Sequence, residues 1–244
     1  MKKYISLSKY PGNTGKYFYT EFFKYYGIDA VYEPRGTDNL AASIDQAISE
    51  EVSGISISMP FKRDIISYLD SVTSDVLTYN SCNTINVENN QYIGYNADLA
   101  GVRYISNLLT YDDNITILGA GAIGSMVIQY LKANHFLNLN ICARALGTWN
   151  RHSDRTDVII NCTALGTKEK SSPFTTIPAG IKLVIDLAIN DNDLKIQCDN
   201  ANVKYISGKE FYQAQFTKQF EIYTGISIDQ LTYKEIESRQ HKTI

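Results

Sequence analysis

Histidine and proline are scarce in this chain of 244 residues, which carries three histidines, five prolines and four cysteines. Cys82, Cys142, Cys162 and Cys198 form no C-x-x-C pair, and His135, His152 and His241 lie far from them in sequence. Neither set has zinc-site spacing, so no metal is expected. The cysteines read as small core residues of a cytoplasmic protein with reduced thiols. No window approaches the length of a membrane-spanning helix. The opening MKKYISLSKYPG lacks the apolar stretch of a signal peptide. Positive charge is not in excess either. The net charge of -3 and the lack of any basic run argue against a nucleic-acid or anionic-membrane partner.

What is present is a globular composition, 44% hydrophobic and 20% charged, without repeats or low-complexity stretches. The eighteen tyrosines are scattered and read as amphipathic filler of core and surface. Apolar strands alternate with helical segments. Strands are expected near 3–7, 29–32, 54–58 and 83–87. Helices are expected near 17–26, 39–50, 63–70, 75–80 and 98–110. After the turn-like YDDN come ITILG and a helix, then the strands LNLNICA, DVIINCT, KLVIDLA and VKYISG, then helices near 209–223 and 228–238. Alternation in both halves predicts an α/β fold with parallel sheets and a boundary near 111–114.

ITILGAGAIGSMV is a glycine fingerprint in its required setting, with Gly119, Gly121 and Gly124 following an apolar strand and opening a helix. Gly119 allows the tight turn, Gly121 lets backbone approach a pyrophosphate, and Gly124 lets helix and strand pack closely. Helix N-terminal amides then face the phosphates. The same glycines would also suit a tight strand–helix turn with no ligand. The next strand ends in Ala143 and Arg144 with no carboxylate. A carboxylate there would accept from a ribose 2′-hydroxyl, whereas an arginine pairs with a 2′-phosphate, so NADP is favoured over NAD. Arg144 also reads as a solvated surface residue.

In SGISISMPFKRD, Ile55 and Ile57 share one strand face and Ser56 and Ser58 the other. A serine face on a strand expected to be buried on both sides suggests a polar border. Pro60 ends ladder pairing. Lys62 follows at the strand's C-terminal end, where α/β sheets place ligands, and at the start of the expected helix, whose dipole disfavours its cation. On its own Lys62 equally reads as a solvated lysine, and Asp98 as a helix N-cap.

Five segments together resemble the shikimate dehydrogenases. GISISMPFK is similar to that family's G-x-N-V-T-x-P-x-K, NSCNT to G-A-V-N-T, and GYNADLAG to G-x-N-T-D-x-x-G. DVIINCTALG and SGKEFYQAQFTKQFEIYTG are similar to its D-x-x-x-N-x-T-x-x-G and its C-terminal glutamine helix. The resemblance implies a catalytic pair, Lys62 and Asp98, and substrate contacts from Ser58, Asn83 and Gln215. It implies cofactor contacts from Gly119, Ala120, Gly121, Ala122, Ile123, Gly124 and Arg144. Asn161, Thr163, Leu187, Ile189 and Gly208 are expected near the cofactor as well.

The usual N-terminal S-x-S-P-x-x-H-N is missing. SLSKYPGNTG instead resembles a shikimate dehydrogenase-like branch and offers Ser6 and Ser8 for a substrate carboxylate. Both also read as an ordinary polar turn. Ser56 stands for a usual Asn, Ile189 for a Tyr, Phe211 for a Met and Asn80 for a Gly.

The resemblance implies two α/β domains around a cleft. The first is a substrate domain of 1–111 rejoined by 208–244, and the second a Rossmann-type NADP domain of 112–207. The implied reaction is reversible reduction of 3-dehydroshikimate to shikimate by NADPH. Quinate or another cyclitol acid could replace shikimate as the substrate. A tetrahydrofolate-linked dehydrogenase and a catalytically idle NADP-binding regulator also fit this layout. The small-molecule substrate is the one partner expected, and the oligomeric state stays open.

Overall fold

The computed structural model describes residues 1–149, 155–166, 171–188 and 193–240. It divides into two compact units, Met1–Ala97 with Phe216–Ile244, and Asp98–Gln215. These bounds differ from those expected: residues 98–111 and 208–215 group with the second unit.

The chain runs β1 (Lys2–Ser8), α1 (Thr14–Tyr25), β2 (Ala30–Gly36), α2 (Leu40–Ser49), β3 (Gly54–Ile57), a 3₁₀ turn (Asp64–Tyr68), β4 (Ser71–Val72), α3 (Ser74–Tyr79), β5 (Thr84–Glu88) and β6 (Gln91–Tyr95). Then follow α4 (Asp98–Ser106), β7 (Ile115–Leu118), α5 (Ala122–Ala133), β8 (Leu139–Cys142), a 3₁₀ turn (Arg144–Leu146), β9 (Val158–Asn161), β10 (Leu183–Asp186), α6 (Asp193–Asn200), β11 (Lys204–Ile206), α7 (Gly208–Thr224) and α8 (Gln230–Gln240). Among the described residues no helix is long and apolar enough to cross a membrane.

The first unit's sheet has the order β2-β1-β3-β5-β6-β4. It is mixed rather than parallel, because β5 runs antiparallel to both β3 and β6. Asn89 and Asn90, both at positive φ, close β5 and β6 into a hairpin, the geometry that matches strand twist. Period-two alternation sorts the strand residues into two faces. Ile5, Leu7, Ile55, Ile57 and Ile85 form one, packed with Ile44 and Ala47 of α2. The other face starts with Tyr4, paired in register with Tyr32.

An aromatic layer covers that second face. Phe18, Tyr19, Phe22 and Phe23 form one stripe of α1, and Phe220 and Tyr223 come from α7. Tyr4, Tyr19, Tyr26, Tyr32, Tyr223 and Tyr233 belong to this layer, while Tyr10, Tyr17, Tyr68 and Tyr111 are exposed elsewhere, so the tyrosines do fill both core and surface. Residues distant in sequence converge because β1 and β2 align and α1 and α7 both pack on them.

The second unit has an all-parallel sheet, β11-β10-β9-β7-β8. Its strands are short apolar runs, with Val158, Ile159 and Ile160 all buried, as a sheet covered on both faces requires. Helix α6 has no clear sequence signal. DLKIQCDN is largely polar and buries only Leu194 and Cys198, one turn apart.

Candidate functional site

In the first unit, Ser6 and Ser8 lie within β1 itself, not after it. Ser8 is buried and its carbonyl accepts from the Thr37 amide at 2.9 Å. Ser6 is half-buried and pairs in register with Ser56. Ser58 is exposed just beyond β3, where its amide donates to the Leu7 carbonyl at 3.0 Å. Because β5 is antiparallel, its start lies at the end where β1 and β3 finish. Asn83 is held there, its carbonyl accepting from the Ile57 amide at 2.8 Å. Ser8, Ser58 and Asn83 thus gather at one end of the sheet.

Lys62 joins this end. It is half-buried, and its carbonyl accepts from the Cys82 amide at 2.8 Å, next to Asn83. The helix expected from 63 to 70 is a five-residue 3₁₀ turn. The dipole argument for Lys62 therefore falls away, since so short a turn sums too few peptide dipoles. The Met59–Pro60 bond ahead of it is cis.

The expected serine face is also revised. Ser56 does not border open space: its hydroxyl is buried against Tyr32, Gln219 and Tyr223 at 2.8, 3.0 and 2.9 Å. Burial foremost pushes the Tyr32 phenol up to about 12, although hydrogen bonds to Ser56 and Ser6 act the other way.

Asn83 is 1% exposed. Its Oδ1 accepts from Thr84 Oγ1 and from the Ala97 amide, both at 2.8 Å. Its Nδ2 is buried with no partner. A buried amide NH₂ left open costs about 1–3 kcal/mol unless a ligand accepts from it. Asn83 therefore has a donor available to an acceptor.

In the second unit the glycine loop has the geometry that a dinucleotide needs. Gly119 sits at φ +93°, a conformation other residues rarely adopt. A Cβ on Gly121 would meet nothing within 4 Å, so the backbone there faces open space at the N-terminus of α5. A cavity of about 460 Å³ borders Gly119, Ala120, Gly121, Arg144, Trp149 and Thr163. Ala122 is exposed and Ile123 half-buried on the first turn of α5, while Gly124 is buried. Arg144 is exposed directly beyond β8, and no carboxylate follows that strand before Trp149. This arrangement suits a pyrophosphate with a phosphorylated ribose.

Asn161 is fully buried, and all four of its hydrogen-bonding positions are taken. Its Nδ2 donates to the Leu165 carbonyl and to Asp186 Oδ1, both at 3.0 Å. Its Oδ1 accepts from the Thr163 amide at 3.1 Å and from Thr163 Oγ1 at 2.6 Å. Asn161 thereby shapes the loop whose Thr163 and Leu165 line the cavity.

Asp186, which no sequence motif marks, is the buried anchor of this arrangement and also accepts from the Tyr205 hydroxyl at 3.0 Å. Burial first, and then the Asp186 charge, pushes the Cys162 thiol up to about 12. Leu187 is half-buried and donates its amide to the Asn161 carbonyl at 3.0 Å. Gly208 must be glycine, because a Cβ there would come 2.5 Å from the Leu187 carbonyl oxygen. Ile189 lies outside the described residues.

Asp98 opens α4 and is 1% exposed. Helix α4 approaches α7 so closely that a Cβ on Gly101 would lie 2.6 Å from the Phe211 ring. Beside Phe211, Tyr212 feels Asp98: burial foremost, then the Asp98 charge, raises its phenol. Gln215 is half-buried, one turn further along α7. Tyr212 is an addition to the expected residues, since nothing in the sequence links it to Asp98 across more than a hundred residues.

Comparison with known proteins places similar chains in one family. Residues 14–85 match the family described as the shikimate dehydrogenase substrate binding domain. The shikimate dehydrogenase (NADP(+)) of Pyrococcus abyssi is 28% identical over 227 residues, covering 85% of this chain and 86% of that protein. A shikimate dehydrogenase-like protein of Haemophilus influenzae is 25% identical over 257 residues, covering 90% and 89%. Among solved structures, the shikimate 5-dehydrogenase-like protein HI0607 shares the fold with a TM-score of 0.85 and 23% identity, covering 97% of this chain and 96% of that one.

Proposed function

Taking the chain as a member of the shikimate dehydrogenase family, we propose that it is an NADP-dependent oxidoreductase acting on a ring hydroxyl of a cyclic hydroxy acid, with shikimate and 3-dehydroshikimate as the substrate pair. The observation that carries the substrate half is Asn83. Its buried, unpartnered NH₂ stands at the strand ends that also carry Ser8, Ser58 and Lys62, and it calls for an oxygen-rich ligand. The first unit is accordingly the substrate domain and the second the dinucleotide domain.

NADP, when bound, accepts or supplies the hydride. The loop from Gly119 to Gly124 would hold its pyrophosphate with backbone amides, and Arg144 would pair with its 2′-phosphate. Reduction of a ring ketone would leave negative charge on its oxygen. Lys62 donates a proton to that oxygen, and in the oxidation direction the same nitrogen takes the hydroxyl proton back. Asp98 accepts a hydrogen bond from a ring hydroxyl and so fixes the ring. Asn83 donates to a second ring oxygen. Ser6, Ser8 and Ser58 are proposed for the carboxylate, and Gln215 for a further hydroxyl.

A panel of shikimate, quinate and related cyclitol acids with NADP⁺ and NAD⁺, followed by absorbance, tests this reading. Turnover of shikimate with NADP⁺ supports it. Turnover confined to quinate or another acid keeps the chemistry and changes the substrate. Cofactor binding without turnover of any member favours an idle regulator.

A further inference from the structure

Gln219 uses its full hydrogen-bonding capacity inside the first unit. It is 1% exposed on α7. Its Oε1 accepts from the Tyr19 hydroxyl and from Ser56 Oγ. Its Nε2 donates to Thr84 Oγ1 at 2.6 Å and to the Asn83 carbonyl at 3.1 Å. Two acceptor positions and two donors account for a primary amide completely.

The protons then have only one arrangement. Ser56 gives its single proton to Gln219 and accepts from Tyr32 and from the Tyr223 hydroxyl 2.9 Å away. With its oxygen end facing these donors, Gln219 must turn its NH₂ toward Thr84. Thr84 Oγ1, already accepting from Gln219, has one proton left and directs it to Asn83 Oδ1 at 2.8 Å. That oxygen also accepts from the Ala97 amide. An inverted Asn83 amide would set NH₂ against the Ala97 amide, which can only donate. The Ala97 amide together with the chain from Tyr19 and Ser56 through Gln219 and Thr84 leaves Asn83 Nδ2 as the open group.

We propose that Gln219 is a positioning residue of the substrate site, fixing Asn83 through Thr84 so that its NH₂ meets an acceptor oxygen of the bound hydroxy acid. This rests on the proposed role of Asn83 in substrate binding. Gln219 sits one helical turn beyond Gln215 and acts at second hand. It partners both Ser56 and Thr84 beneath the aromatic layer.

The test uses the full chain with shikimate and NADP⁺ as probes. Gln219→Met and Thr84→Val each raise KM for shikimate roughly five- to ten-fold, the scale of one hydrogen bond. KM for NADP⁺ stays within about two-fold. Thr84→Ser keeps the hydroxyl and the wild-type KM. In an Asn83→Ala background neither substitution adds a further effect, as coupling through one group requires.

Nitrogen-15 NMR of the Asn83 side chain, assigned by its loss in Asn83→Ala, reads positioning without turnover. Gln219→Met shifts or broadens that resonance. Full additivity with Asn83→Ala, an unchanged KM in both folded variants or an unmoved Asn83 resonance overturns the inference. If Gln219→Met does not fold, Thr84→Val carries the same readouts. A wild type inactive on shikimate and quinate fails the proposed function instead, and the resonance alone then decides whether Gln219 positions Asn83.

Discussion

A Cβ placed on Gly124 would lie 2.2 Å from the carbonyl oxygen of Gly119. The two glycines hold the first turn of α5 against the end of β7, which gives the cofactor loop its shape. Gly124→Ala is expected to cost about 1–3 kcal/mol through overpacking and to weaken NADP binding as the loop shifts. Urea denaturation and a binding titration measure the two effects. Wild-type values in both would show that the loop tolerates the added methyl group.

Trp149 is the single tryptophan of the chain and borders the same cavity as Gly121 and Arg144. Adding NADP⁺ should quench its fluorescence. Arg144→Ala should lower NADP⁺ affinity by roughly ten- to a hundred-fold, the loss of a charged hydrogen bond of about 1.5–3 kcal/mol, and leave NAD⁺ nearly unchanged. Equal losses for the two cofactors would assign Arg144 to the fold or the shared pyrophosphate.

Lys62→Ala should reduce turnover by roughly 10²–10⁴-fold, the scale for a positioned acid–base group. The same fluorescence titration should show unaltered cofactor binding. Near-native turnover would remove Lys62 from the chemistry.

Asn161→Ala should weaken NADP binding without deleting a direct contact, because Thr163, Leu165 and Asp186 all lose a partner. Leaving the buried Asp186 carboxylate and its neighbours short of a partner should cost about 1–3 kcal/mol of stability. Calorimetry and the titration together check this, and a fully stable variant with wild-type affinity would contradict it.

Glu50 ends α2 and ties it to two strands, accepting from Lys3 Nζ at 2.7 Å and Arg35 Nη2 at 2.6 Å. Hydrogen bonds from Arg35 and then Lys3 hold its carboxyl down at about 2, from an ordinary 4.5. A depressed folded-state value means that the stabilisation is present above about 4.5 and fades as pH falls through about 2. Glu50→Gln should therefore lower Tm at neutral pH, and its difference from wild type should shrink between those limits. A pH-independent difference would mean that the charge plays no part.

The strand–helix order, the glycine loop and the positions of Lys62 and Asp98 are legible in the sequence because each rests on local pattern or a short motif. The β5–β6 hairpin is not, although Asn89–Asn90 is a turn signal, since the strand residues beyond it, QYIGY, alternate only weakly. Ser56 misleads because its face looks polar in sequence. Its cover comes from α1 and α7, which no local pattern reveals. Gln219 and Tyr212 belong to the same class, as their partners lie roughly 110–200 residues away.

The division between the compact units falls inside one continuous helix, α7, between Gln215 and Phe216. During synthesis the first ninety-seven residues leave the ribosome without the segment that completes them. Tyr32, Ser56 and Thr84 must wait for Gln219 and Tyr223, which are made only after the whole second unit. The second unit is thus the first whose residues are all available to fold, while the first unit still lacks its last segment. Truncation anywhere before Tyr223 would leave that unit permanently unfinished, however much of the chain had been made.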